Sequence, residues 1–136
     1  MIGLDTNILV RYLVRDDADQ TALADRFIET ECSAETPGFV SHIVLCELIW
    51  VLSAGYGYSR QTSLQVIEQM LRVKQFRIES PQTVWQALND THNGRADFSD
   101  YLLAGNNLVH GCRFTATFDK KAGGHEIFRL INQRSS

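Results

Sequence analysis

No stretch of this chain stays apolar for the roughly 20 residues that a bilayer-spanning helix needs. The N-terminal run MIGLDTNILV is broken by Asp5 and followed by Arg11, so neither a membrane helix nor a signal peptide fits, and a cytoplasmic protein is expected. Cysteine is scarce: Cys32, Cys46 and Cys112 are odd in number and form no CxxC pair, which argues against a disulfide framework and a cysteine zinc site. Reduced, buried thiols are expected instead. His42 and Cys46 stand one helical turn apart, but no second nitrogen or sulfur pair is spaced to complete a tetrahedral zinc site. The chain also lacks a GxxxxGK[ST] phosphate loop, and His42, His92, His110 and His125 fall in no nucleophile motif. A basic excess is missing too. The formal charge of −3 is a poor footprint for binding nucleic acid by charge alone, unless bound divalent cations reverse the local field.

What is present is an ordinary globular composition: 136 residues, 44% hydrophobic and 21% charged, enough for one domain over 1–136 with a core of its own. Residues 2–4 read as a short strand, and Ile8, Leu9, Tyr12 and Leu13 as a helix capped by Thr6 or Asn7. Further helices are expected near 20–31, from a Ser41 cap to about Ser53, at 59–72, from Pro81 to about Asn89, and from Phe98 to His110. Strands are expected near 38–40, at 76–78 and over 113–118. This alternation implies an α/β fold around a small, mainly parallel sheet. Ligands of such sheets bind beyond the carboxyl ends of the strands, where Asp5 and Asp119 would share one edge.

The acidic residues carry the chemistry. Glu47 lies in SHIVLCELIWVL with Ile43, Val44, Trp50 and Val51 as helical neighbours, so partial withdrawal from water is expected. A buried carboxylate must be protonated, paired or bound to metal. Asp97 and Asp100, in RADFSDYLLAG, are three apart. Helix capping explains both, while Asp100 near the helix N-terminus is expected to keep a depressed pKa and remain an anionic ligand. Asp119 at a strand end reads as a turn residue or a ligand. Several carboxylates together suit one or two hard cations such as Mg²⁺ or Mn²⁺, with Asn7 as a supporting group or a helix cap.

The ordered pieces IGLDTNILVRYL, SHIVLCEL, ADFSDYLLAG followed by HGC, and TATFDKKA resemble the PIN-domain nucleases, most of all the VapC-type ribonuclease toxins. The resemblance implies a PIN-like three-layer α/β/α sandwich and a Mg²⁺- or Mn²⁺-dependent endoribonuclease. It makes Asp5, Glu47, Asp100 and Asp119 the metal-binding catalytic quartet, with Asp97 as accessory ligand or cap and Asn7 and Thr117 as supporting groups. It also implies an RNA substrate, a homodimer and a small cognate antitoxin. Cleavage by metal-activated water, leaving a 5′-phosphate and a 3′-hydroxyl, belongs to the same expectation. Arg11, Arg95, Lys120 and Lys121, close in sequence to the acids, are candidates for RNA phosphates. Tyr12 and Phe98 could stack on bases, although their helical apolar pattern suits the core better. A PIN nuclease of RNA processing or DNA, and a PIN-like domain that binds without cutting, are the alternatives. A phosphatase of the aspartyl-phosphate type is disfavoured because Asp5-Thr6-Asn7 lacks the second carboxylate of DxDx[TV].

Overall fold

The computed structural model describes residues 1–131, which fall into two compact units, one over Met1–Glu79 and one over the described residues from Ser80 onward. The first holds strand β1 (Ile2–Gly3), helices α1 (Thr6–Val14) and α2 (Ala18–Glu31), strand β2 (Gly38–Val40) and helix α3 (His42–Trp50). Helix α4 (Arg60–Arg72) and strand β3 (Phe76–Ile78) complete it. The strands form a parallel sheet in the order β1-β2-β3, with Ile2 opposite Gly38 and Gly38 opposite Phe76. Helices supply each crossover, as parallel pairing requires.

Local chemistry sets the helix boundaries. Ser41 Oγ accepts from Val44 N–H and Ser59 Oγ from Thr62 N–H, so two hydroxyl caps start α3 and α4. The first cap differs from expectation: Asp5, not Thr6 or Asn7, caps α1, its Oδ1 accepting from Thr6 N–H at 2.7 Å. Helix α3 passes into a π-helical turn, Val51–Gly55, before Gly57 takes φ +70°. Leu45, Leu48 and Leu52 turn inward together, as do Leu64, Ile67 and Met70 of α4. Gly38 is required by proximity, because a Cβ there would meet Leu4 Cδ1 at 2.6 Å.

The second unit pairs helices α5 (Pro81–Asn93) and α6 (Phe98–Val109) and carries strands β4 (Thr115–Thr117) and β5 (Phe128–Leu130), which run parallel. Val84, Ala87, Leu88, Tyr101, Leu102 and Phe128 are its buried residues of largest consequence. Phe98 is also core, at 2% exposure. Helix α5 runs a turn past the expected Asn89, because buried Thr91 bonds back to Ala87 O at 2.6 Å and continues the inward stripe.

Three expectations are corrected here. Asp5 and Asp119 do not end strands of one hydrogen-bonded sheet: β1 belongs to the three-stranded sheet, whereas β4 pairs with β5, a strand that sequence reading did not place. Asp119 stands two residues beyond the shorter β4. The thiols are free but not uniformly buried: Cys32 is buried, Cys46 half-buried and Cys112 exposed. Among the described residues, no helix is long and apolar enough to cross a membrane.

Candidate functional site

In the first unit, Asp5 is delivered by the end of β1 and is exposed. One of its carboxylate oxygens, Oδ1, caps α1. Asn7, one position into the helix from Thr6, is exposed. Thr6 itself is buried, and its Oγ1 has no hydrogen-bond partner among the described residues.

Glu47 corrects the expectation of withdrawal from water: it is exposed, on a face of α3 shared with Ile43 (73% exposed) and Trp50 (70%). The helix is apolar nearly all round, so its sequence could not reveal which face the core would take. Leu45 and Leu48 take that face, which turns Glu47 outward. An exposed carboxylate needs no buried counter-ion, so the requirement for pairing no longer applies to it.

Arg11 is committed within its own unit. Its guanidinium bonds Asp16 Oδ1 at 2.8 Å and Gln20, and reaches Tyr56 Oη at 3.4 Å. The Asp16 bond is the main cause of its raised pKa. This leaves Arg95, Lys120 and Lys121 as the readier phosphate candidates. Tyr12 meets Phe76 edge-on at 5.9 Å, a packing role. His42 Nε2 lies 2.7 Å from Glu79 O, and the backbone N–H of His42 donates to Glu79 Oε1 at 2.9 Å, so this residue ties the start of α3 to the end of β3.

In the second unit, Asp97 and Asp100 form a capping box at the start of α6: Asp100 Oδ2 accepts from Asp97 N–H at 3.1 Å. Asp100 is half-buried. Its carboxyl is pushed above the ordinary aspartate value, first by burial and then by the charges of Asp97 and Asp119, with the bond from Asp97 N–H acting in the opposite direction. This reverses the expected depression. The helix terminus favours the anion locally, but desolvation and two like charges outweigh it.

Asp119 folds its own loop into a turn. Its Oδ1 accepts from Lys121 N–H at 2.9 Å, while its N–H donates to Thr117 Oγ1 at 3.0 Å. Thr117 therefore orients the backbone of Asp119. Lys120 and Lys121, which follow, line a cleft of 320 Å³ with Arg95 and Asn93.

The acids of the second unit thus feel one another's charge. Among the described residues, however, no group of three or more His, Cys, Asp or Glu side chains is arranged to hold a metal ion. Chemically the donors suit a hard divalent cation: they are carboxylate oxygens, and Asp100 carries an ionisation penalty that a cation would relieve. Sequence reasoning passed over a further group, Asp90 with His125, whose Nε2–Oδ1 separation is 3.3 Å. Its signal was an acid three residues after Ala87, within the inward stripe of α5, where a charge needs a partner.

The family model of the PIN domain matches residues 2–123. A protein described as VapC ribonuclease, from Aquifex aeolicus (strain VF5), is 23% identical over 118 residues, which cover 87% of each chain. The family match takes in Asp5, Glu47, Asp97, Asp100 and Asp119 and runs through both compact units, ending within the loop after β4. Together with the helices and the small parallel sheet, it identifies a PIN-like α/β/α fold, and the chain belongs to the PIN domain family.

Proposed function

We propose that this protein is a metal-dependent endoribonuclease that acts in the cytoplasm as the toxin of a toxin–antitoxin pair. Its two units would work as one catalytic domain, forming a homodimer restrained by a small antitoxin. Membership of the PIN domain family and the likeness to a VapC ribonuclease support this reading. The observation that carries it is the family match, which takes in Asp5, Glu47, Asp100 and Asp119, beside the half-buried Asp100 joined to Asp97 by its capping box. Carboxylates brought into mutual repulsion destabilise the empty site and favour a cation.

Asp5, Glu47, Asp100 and Asp119 would hold Mg²⁺ or Mn²⁺, with Asp97 as an accessory ligand and a helix cap. Such an ion supplies Lewis acidity and a water of lowered pKa for attack at phosphorus. The protein's own part is positional. The α1 cap fixes Asp5, the capping box fixes Asp100, and Thr117 fixes the backbone of Asp119. Arg95, Lys120 and Lys121 would receive RNA phosphates, whose binding is governed by charge and weakens with salt.

Incubating the protein with structured RNA and matched DNA, in Mg²⁺, Mn²⁺ or EDTA, tests the proposal. Metal-dependent RNA cleavage that Asp5→Asn abolishes is expected. Equal cleavage of DNA would favour a nuclease outside toxin–antitoxin pairing, and RNA binding without cleavage would favour a non-catalytic PIN-like protein.

A further inference from the structure

Beside the cationic cleft of the second unit lies another, of 390 Å³, and the two share Tyr101 and His125 as walls. Their chemistry is opposite. Arg95, Lys120 and Lys121 line the first, whereas the second presents Asp90 and Glu126, with Gln86 and Thr83.

Asp90 is 8% exposed and firmly held. Gln86 Nε2 donates to its Oδ1 at 3.0 Å, and His125 Nε2 stands 3.3 Å from the same oxygen. His125 Nδ1 accepts from Ile127 N–H at 3.3 Å, which places the proton of a neutral ring on Nε2, the nitrogen nearer Asp90. Both contacts fall on Oδ1, and neither engages the second oxygen of Asp90, a residue that lines the cleft. Glu126, exposed at the mouth, adds another acceptor. The arrangement seeks a ligand with an anionic end and, a short distance away, adjacent hydrogen-bond donors.

We propose that these adjoining clefts bind a guanine nucleotide of a single-stranded RNA segment. The phosphate would lie among Arg95, Lys120 and Lys121, and the base edge against Asp90 and Glu126. The inference rests on the reading of RNA as substrate and deepens it by naming a base. Guanine alone among the four bases offers two neighbouring donors, N1–H and the 2-amino group, which can be shared between Asp90 and Glu126. Adenine and cytosine offer one amino group beside an acceptor, and uracil a single imide N–H. A buried acceptor such as Asp90 disfavours ligands that leave it unpaired. Unstacked bases of single-stranded RNA are commonly read on this same edge.

The test is equilibrium binding, not cleavage, so it separates this inference from the ribonuclease reading. The full chain, in EDTA, is titrated by calorimetry with the four nucleoside monophosphates, as 5′ and 3′ isomers, and with inorganic phosphate. Guanosine monophosphate is expected to bind about tenfold tighter than the others, the scale of one good bidentate base contact. Glu126→Gln or Asp90→Asn should erase most of that preference while leaving phosphate binding unchanged, and Lys121→Gln should weaken every anion. Glu126→Gln alters an exposed side chain, and a melting curve checks that buried Asp90→Asn remains folded. Equal affinity for all four nucleotides, or a guanine preference that survives both carboxylate substitutions, overturns the inference. Saturable binding of arginine amide with no nucleotide binding would overturn it in favour of a cationic side chain. RNA cleavage without guanine selectivity would sink this inference alone, whereas selective binding without cleavage would sink the ribonuclease reading alone.

Discussion

Asp100 Oδ2 accepts the backbone N–H of Asp97 at 3.1 Å, so the acid that starts helix α6 and the acid one turn into it are locked in a single capping box. The same contact that orients Asp100 also brings a second negative charge beside it, and Asp119 adds another.

The titration of Asp100 should follow from those neighbours. In EDTA, Asp97→Asn keeps a good capping side chain but removes a charge, so it should leave stability within about 0.5 kcal/mol and lower the Asp100 pKa toward its ordinary value. The linkage sign is set by the raised folded value: the folded state holds its proton longer, so stability falls as pH rises from the ordinary carboxyl range through that value. Saturating Mg²⁺ should reverse this slope. NMR titration of the Asp100 carboxyl and melting curves across acidic pH read both effects.

Away from the candidate site, Tyr56 Oη donates to Asp16 Oδ2 at 2.7 Å. Asp16 is lowered chiefly by that bond, with Arg11 adding to it, so its contribution is present above the ordinary 3.8 and is lost as pH falls through the folded value. Tyr56 is raised by the same bond, so its contribution is present below the ordinary 10.0 and is lost as pH climbs through the folded value. Tyr56→Phe should therefore lower the melting temperature between these limits and flatten its dependence at both ends, as scanning calorimetry at several pH values would show.

Glu47 separates function from stability. Because it is exposed on α3, Glu47→Gln should change stability by no more than about 0.5 kcal/mol. RNA cleavage should fall by about 100-fold or more if its carboxylate helps hold metal. Denaturant unfolding and a cleavage time course on the same preparation decide whether the two effects part company.

The turn between α5 and α6 depends on a missing side chain. A Cβ on Gly94 would collide with Tyr101 Oη and approach Asp90 O to 2.9 Å. Gly94→Ala should cost about 1–3 kcal/mol, the usual range for overpacking. Tyr101 Oη also accepts from Ala96 N–H at 3.3 Å, so Tyr101→Phe carries a cost of its own. Even so, adding it to Gly94→Ala should recover part of the loss by opening room, a coupling that a double-mutant cycle in urea measures.

The features legible in the sequence were those fixed by neighbours along the chain. The caps at Ser41 and Asp97 follow from side chains that reach backbone groups three residues on. The turn at Gly57 follows from its positive φ. Distant partners hid the rest. Strand β5 is three residues long and gains its identity from pairing with β4, which local pattern does not encode. Around Glu47 the helix is apolar on almost every side, so periodicity left open which side faced the core. The helix terminus next to Asp100 argued for a lowered pKa, but burial and the charge of Asp119, nineteen positions along, reversed the sign.

Metal binding tests the proposed centre most directly. Mn²⁺ titrated calorimetrically into the metal-free protein should bind, and Glu47→Gln, from the first unit, and Asp100→Asn, from the second, should each weaken it by about tenfold or more. RNA cleavage should fall in parallel. Unchanged Mn²⁺ affinity in either folded variant would contradict a single centre built from both units, and absence of Mn²⁺ binding to the unaltered protein would contradict the metal-dependent ribonuclease itself.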